Sequence, residues 1–213
     1  MLVLDPVAVR VLGALMEKEA TTPEYYPLSL NALVNACNQK SNRQPVVEYD
    51  EDTVSDAMDG LRAVKLAVVI TGSGRVSKYA QRISESLNLG RREMAVLCVL
   101  LLRGPQTLGE IKDRSERMHA FADLEEVERA LDKLAEWPDV PLVRKLPRQP
   151  GQKEVRYAHL LAGEPAVQAE DAAPAAPNAP GSRIAVLEEE VRRLSSAFAE
   201  LKQRFDDLEA QFR

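Results

Sequence analysis

The chain has 213 residues, a length that suits one or two ordinary domains and excludes a large multidomain enzyme. Its 28 Lys and Arg stand against 33 Asp and Glu, a formal net charge of -5, which excludes a basic coat over the whole surface but not a local basic patch. Apolar residues make up 45% and aromatic residues 5%, so the core is expected to be aliphatic.

Asp5-Pro6 reads as an N-cap and first-turn proline, and Val7, Val11, Ala14 and Leu15 then recur at helical spacing to about Glu19. After the break from Thr21 to Pro27, Ser29 caps a short helix whose apolar positions Leu30, Leu33, Val34 and Cys37 share one face. A polar stretch from Asn38 to Pro45 follows. The acids Asp50, Glu51 and Asp52 open a third helix burying Val54, Met58, Leu61 and Val64. Leu66 to Thr71 is rich in β-branched residues, Gly72-Ser73-Gly74-Arg75 is a turn, and Val76 to Tyr79 reads as the returning strand.

The same order returns after residue 89. Arg91 to Leu102 is an apolar helix ended by Gly104-Pro105. Thr107 and Glu110 have capping-box spacing and open a helix running toward Met118. Asp123 opens a third helix with Val127, Leu131, Leu134 and Trp137 on its inner face. Strands at 142–146 and 154–158, joined by a turn at 149–152, complete a second hairpin.

Three helices followed by a hairpin is the winged helix-turn-helix order. The predicted fold is therefore mainly α with small β wings: two tandem winged helix-turn-helix domains at 1–84 and 85–162, an Ala/Pro linker at 163–182 and a coiled-coil helix at 183–213. The stretches 17–29 and 36–46, with Gly74 to Tyr79 and Leu100 to Thr107, resemble the YceH-like family of bacterial proteins over about 4–163. That resemblance implies two winged-helix domains and no established catalytic activity.

The linker has Pro165, Pro174, Pro177 and Pro180 among alanines and too little bulky apolar surface to offset the entropy of ordering it. Beyond it Ile184, Leu187, Val191, Leu194, Phe198, Leu201, Phe205 and Leu208 alternate steps of three and four, the seam of a coiled coil. A helix of about 45 Å at 1.5 Å per residue would leave that seam wet, so self-association into a homo-oligomer is expected. Parallel, antiparallel and trimeric pairing stay open, as does docking of the helix on its own domains.

Several chemistries are missing. No apolar run reaches the ~18 residues of a membrane span, and the N-terminus lacks the pattern of a leader, so the expectation is cytoplasmic with no membrane. Cys37 and Cys98 make no disulfide framework, and His119 and His159 have no partner at zinc-motif spacing, so no metal and no cofactor is expected. Gly72-Ser73-Gly74 is a hairpin turn, because no helix start follows it to present N–H groups to a phosphate. The sequence predicts no enzyme.

A winged helix commonly binds duplex DNA by laying its third helix in the major groove. Here those helices carry Asp50, Glu51, Asp52, Asp56 and Asp59 in one repeat, and Asp123, Glu125, Glu126, Glu128, Asp132 and Glu136 in the other. Each carboxylate about 6 Å from a phosphate costs roughly 0.7 kcal/mol in bulk water and more at an interface. Direct groove insertion is disfavoured. The candidate contacts are instead Asn38, Gln39, Lys40, Asn42 and Arg43 in the loop between helices two and three, with Arg75 and Lys78 on the first wing and Arg148, Lys153 and Arg156 on the second. The expected function is DNA binding, of the kind a transcriptional regulator performs; the alternative is a non-enzymatic protein-interaction module whose acidic helices meet basic partners.

Overall fold

Helix starts follow from local polar caps. Asp5 accepts from the Ala8 N–H at 2.8 Å and opens α1 (Pro6–Thr21), and Ser29 accepts from the Ala32 N–H at 3.3 Å and opens α2 (Leu30–Cys37). Asp50 accepts from the Thr53 N–H at 2.8 Å and opens α3 (Glu51–Ala63). A computed structural model describes residues 3–71, 77–138, 140–148 and 152–164. The expected linker beyond Glu164 and the seam from Ile184 to Leu208 lie outside the described residues.

Strand β1 (Ala67–Ile70) pairs antiparallel with β2 (Lys78–Gln81), in a register that sets Ala67 against Gln81 and Ile70 against Lys78. The returning strand thus starts later than the sequence pattern places it. Tyr79 is the reason: its N–H donates to Leu28 at 2.7 Å and its carbonyl accepts from Leu28 at 3.1 Å, tying this part of the chain to the residues just before α2. Nothing in the sequence announced the next element, α4 (Ile83–Ser86), which is anchored by fully buried Ile83. The boundary expected at 84/85 falls inside it.

The second half repeats the plan. Helix α5 (Arg91–Arg103) ends at Gly104, whose φ of 71° is a conformation that favours glycine, and α6 (Leu108–Ser115) opens with the capping box, Thr107 accepting from Glu110 N–H and Glu110 from Thr107 N–H. Helix α7 (Leu124–Ala135) is capped by Asp123. Strand β3 (Val143–Lys145) pairs antiparallel with β4 (Tyr157–His159). Tyr157 exchanges backbone hydrogen bonds with Gln106, just before α6, as Tyr79 does with Leu28 before α2.

The two halves share one core within the unit 1–166. The sequence gives α1 one apolar face, yet every residue from Ala8 to Met16 is buried, because α2 and α3 cover one side and α5 the other. Gly13 permits that approach: a Cβ there would lie 2.9 Å from Leu102 Cδ2. Leu12, Leu15, Met58 and Leu61 from the first half and Leu97, Leu100, Ile111 and Leu131 from the second are fully buried in the same cluster. Each leucine so buried contributes about 1.5–3 kcal/mol relative to exposure.

Candidate nucleic-acid interface

The loop after α2 does two jobs. Its first is internal bracing. Asn38 donates from Nδ2 to the Tyr49 carbonyl at 2.7 Å and accepts from the Tyr49 N–H at 2.9 Å, closing the loop on itself. Arg43 corrects the expectation of an exposed contact: its side chain is 0% exposed. The guanidinium donates to Glu17 Oε2 at 2.7 Å and Oε1 at 3.1 Å, and to the Ala36 carbonyl at 2.8 and 3.0 Å. Arg10, likewise buried, donates to the carbonyls of Cys37 at 3.1 Å and Pro45 at 2.6 Å. Burial would push the Glu17 carboxyl up, but hydrogen bonding to Arg43 and its charge outweigh that and hold it below its ordinary value.

The loop's second job is to reach the other half. Asn42, in a left-handed conformation at φ 59°, accepts from Arg103 at the end of α5, and the Gln44 N–H donates to the Leu102 carbonyl at 2.9 Å. Gln39, Lys40 and Asn42 then line a cleft of about 400 Å³ with Lys18 and Arg117. A smaller hollow beside it, sharing Glu17, Thr21, Asn42 and Arg117, adds Arg103 and Arg114. Lys18, Arg103 and the pair Arg114 and Arg117 come from three separate stretches that no spacing rule joins, so the sequence pattern does not reveal them together.

Charge in this cleft is not balanced. Glu17 serves both Arg43 at 2.7 Å and Lys18 at 3.4 Å, and Glu110 serves both Arg114 and Arg156, each at 3.3 Å. Lys40 and Arg117 have no carboxylate partner among the described residues. Arg103 has only the neutral Asn42 amide, and burial together with the like charges of Arg114 and Arg43 pulls its guanidinium below the usual value. Burial is the leading influence on Arg103 and the carboxylates of Glu17 and Glu110 oppose the shift, so the cations of the cleft without a carboxylate partner among the described residues are Lys40, Arg103 and Arg117.

The wings contribute less than expected. Arg156 is committed to Glu110 and to the Pro105 carbonyl at 2.9 Å, and Arg148 donates to the Gln152 carbonyl at 2.7 Å. Lys78 and Lys153 are exposed, have no carboxylate partner among the described residues and do not line the cleft. Arg75 lies outside the described residues. On the third helices, Asp52, Asp56 and Asp59 of α3 and Glu125, Glu128 and Asp132 of α7 are exposed, while Arg62 pairs with Asp59 and Lys133 with Glu93.

Both cysteines are buried, which pushes the Cys37 thiol up to about 12 and Cys98 higher still. Burial pulls His159 down to about 4, so it is neutral at physiological pH. Among the described residues no group of three or more His, Cys, Asp or Glu is placed to hold a metal, and no helix is long and apolar enough to cross a membrane.

The family model described as "Protein of unknown function, DUF480" matches residues 4–152. The chain belongs to the DUF480 family. Its similar relatives carry the name UPF0502 protein: one from Solibacter usitatus is 59% identical, covering 95% of this chain and 98% of the relative, and one from Pelobacter propionicus is 53% identical, covering 99% of each. A third, from Geobacter sulfurreducens, is 52% identical and also covers 99% of each chain. Similarity to these relatives runs along nearly the whole chain, beyond the residues the DUF480 model matches.

Proposed function

We propose that the chain is a DNA-binding protein made of two tandem winged helix-turn-helix domains, and that it holds duplex phosphates in the cleft formed by Lys18, Lys40, Arg103, Arg114 and Arg117. The observation that carries this reading is that Lys40, Arg103 and Arg117 have no carboxylate partner among the described residues, on a molecule whose net charge is -5. The repeated helix, helix, helix, hairpin order and the YceH-like motifs support the winged-helix architecture. Phosphate contacts position a protein without choosing sequence; half-buried Gln39, beside exposed Lys40 on the cleft lining, supplies an amide for a base edge. Arg43 is withdrawn as a contact and becomes the brace that holds the loop in place.

Fluorescence anisotropy of a labelled duplex across a salt series tests it. With Lys40, Arg103 and Arg117 each neutralising one phosphate, the logarithmic salt slope is about -3, and each substitution by alanine reduces it by about 1. Binding that is undetectable at low salt, or a slope untouched by K40A and R117A, rejects the reading.

A second reading rests on the exposed acids of α3 and α7, with half-exposed Leu124 beside them. It makes the chain a protein-interaction module for basic partners. Nuclease-resistant capture of one partner, lost in the Asp56→Asn and Asp59→Asn double variant, distinguishes it. In either reading the C-terminal seam is proposed to join copies of the chain, raising effective concentration.

A further inference from the structure

Met118, which borders the basic cleft, also lines a separate cavity of about 370 Å³. That size lies within the range of small-molecule sites and exceeds what one ion needs. Its apolar wall is built from the thioethers of Met16, Met94 and Met118 with Leu89 and Ala95, and no aromatic ring among the described residues lines it. Three of the chain's five methionines therefore meet at one hollow. Unbranched and polarizable, they re-pack around a flexible chain better than they clasp a rigid ring.

The charged groups on the lining are unequal. Glu19 accepts from Gln81 Nε2 at 2.5 Å, and the same amide donates to Ser84 Oγ at 2.9 Å, so the acidic end is already engaged. Arg91 is exposed and has neither a hydrogen bond nor an ion pair among the described residues. An aliphatic body with one anionic head satisfies both parts of the site: the chain lies among the methionines and the head takes the free guanidinium, away from Glu19. A phosphate or a nucleotide leaves the apolar wall unused, and a neutral alkane leaves Arg91 unused.

We infer that this cavity is a binding site for a medium-chain aliphatic carboxylate. The site is distinct from the proposed DNA surface, and its test involves no nucleic acid.

The full-length chain with methyl-labelled methionine is titrated with octanoate and observed by NMR. The Met16, Met94 and Met118 methyls shift together and saturate, while Met58, which does not line the cavity, stays in place. Arg91→Ala changes an exposed side chain and weakens octanoate binding at least tenfold, whereas octanol binds the wild type and this variant alike. The inference is overturned if millimolar octanoate leaves the three methyls unmoved, as it would were another part of the chain already seated there. Equal shifts of all five methyls, or an Arg91→Ala affinity equal to wild type, overturn it too.

Discussion

Replacing Arg43 by methionine separates bracing from DNA contact. The variant keeps much of the apolar volume and removes every donor, so five hydrogen bonds to Glu17, Ala36 and Asn42 disappear. Glu17 is left with Lys18 alone at 3.4 Å, and its side chain is only 13% exposed. Breaking a buried pair by deleting one partner costs about 3–5 kcal/mol, and Glu17's residual hydration and its second cation place this site near the lower end, about 3 kcal/mol. Urea unfolding followed by circular dichroism reads the change as a lower midpoint at unchanged slope.

The acid dependence has a definite sign. In the wild type the folded Glu17 carboxyl sits below its ordinary value of 4.5, so the stability it lends is present above that pH and is lost as pH falls through the folded value. Without Arg43, burial is left as the leading influence and pushes the carboxyl up, so its ionised form opposes folding at neutral pH. The gap between wild type and variant is therefore widest near neutrality and narrows as pH falls through the variant's raised value, above 4.5, and on to the wild type's lowered one. A loss under about 1 kcal/mol refutes the bracing role. So does a fully stable variant that has lost duplex binding, which would return Arg43 to the contact surface.

Three further outcomes are expected. Gly13→Ala drives a methyl to within 2.9 Å of Leu102, itself buried, and costs about 1–3 kcal/mol by overpacking, read as a lower thermal midpoint; an unchanged midpoint contradicts the close packing of α1 on α5. Cys37 and Cys98, buried with raised thiol values, react with a disulfide reagent at the rate of unfolding and not at the rate of a free thiol. Rapid labelling of the native chain would show that this wall opens. Light scattering of the intact chain gives the mass of an oligomer, and Leu194→Asp with Leu201→Asp returns it to a monomer; a monomeric wild type removes the seam as an interface.

Local chemistry was legible where one residue decides the outcome. Asp5, Ser29 and Asp123 cap the helices they were expected to open, Asp50 from the expected acidic cluster caps the third, and Thr107 with Glu110 forms both halves of its box. Strand starts were less legible, because Tyr79 and Tyr157 are placed by Leu28 and Gln106, which lie 51 residues earlier in each case. The site was least legible. Arg43 sits in a polar run with Lys40 and Asn42, and nothing in that run says that its charge turns inward to Glu17, 26 residues away. Pattern reveals that a side chain is polar; only the fold reveals what it meets.

The repeats share a backbone plan, but not a set of polar residues. Gln81 and His159 occupy matching positions in the two hairpins, paired with Ala67 and Val143, yet Gln81 engages Glu19 and Ser84 while His159 is half-buried and neutral at physiological pH. Neither repeat holds the basic cleft by itself: Lys18 and Lys40 come from one, Arg103, Arg114 and Arg117 from the other, and the loop braced by Arg43 brings them together. This resolves the conflict between a net acidic chain and a phosphate-binding surface. At physiological ionic strength a charge is felt over only about 8 Å, so a phosphate in the cleft senses its own lining and little of the carboxylates on distant helix faces. On the proposed DNA-binding reading, net charge limits how fast DNA is drawn in from afar, and the packing of one repeat on the other determines whether it is held.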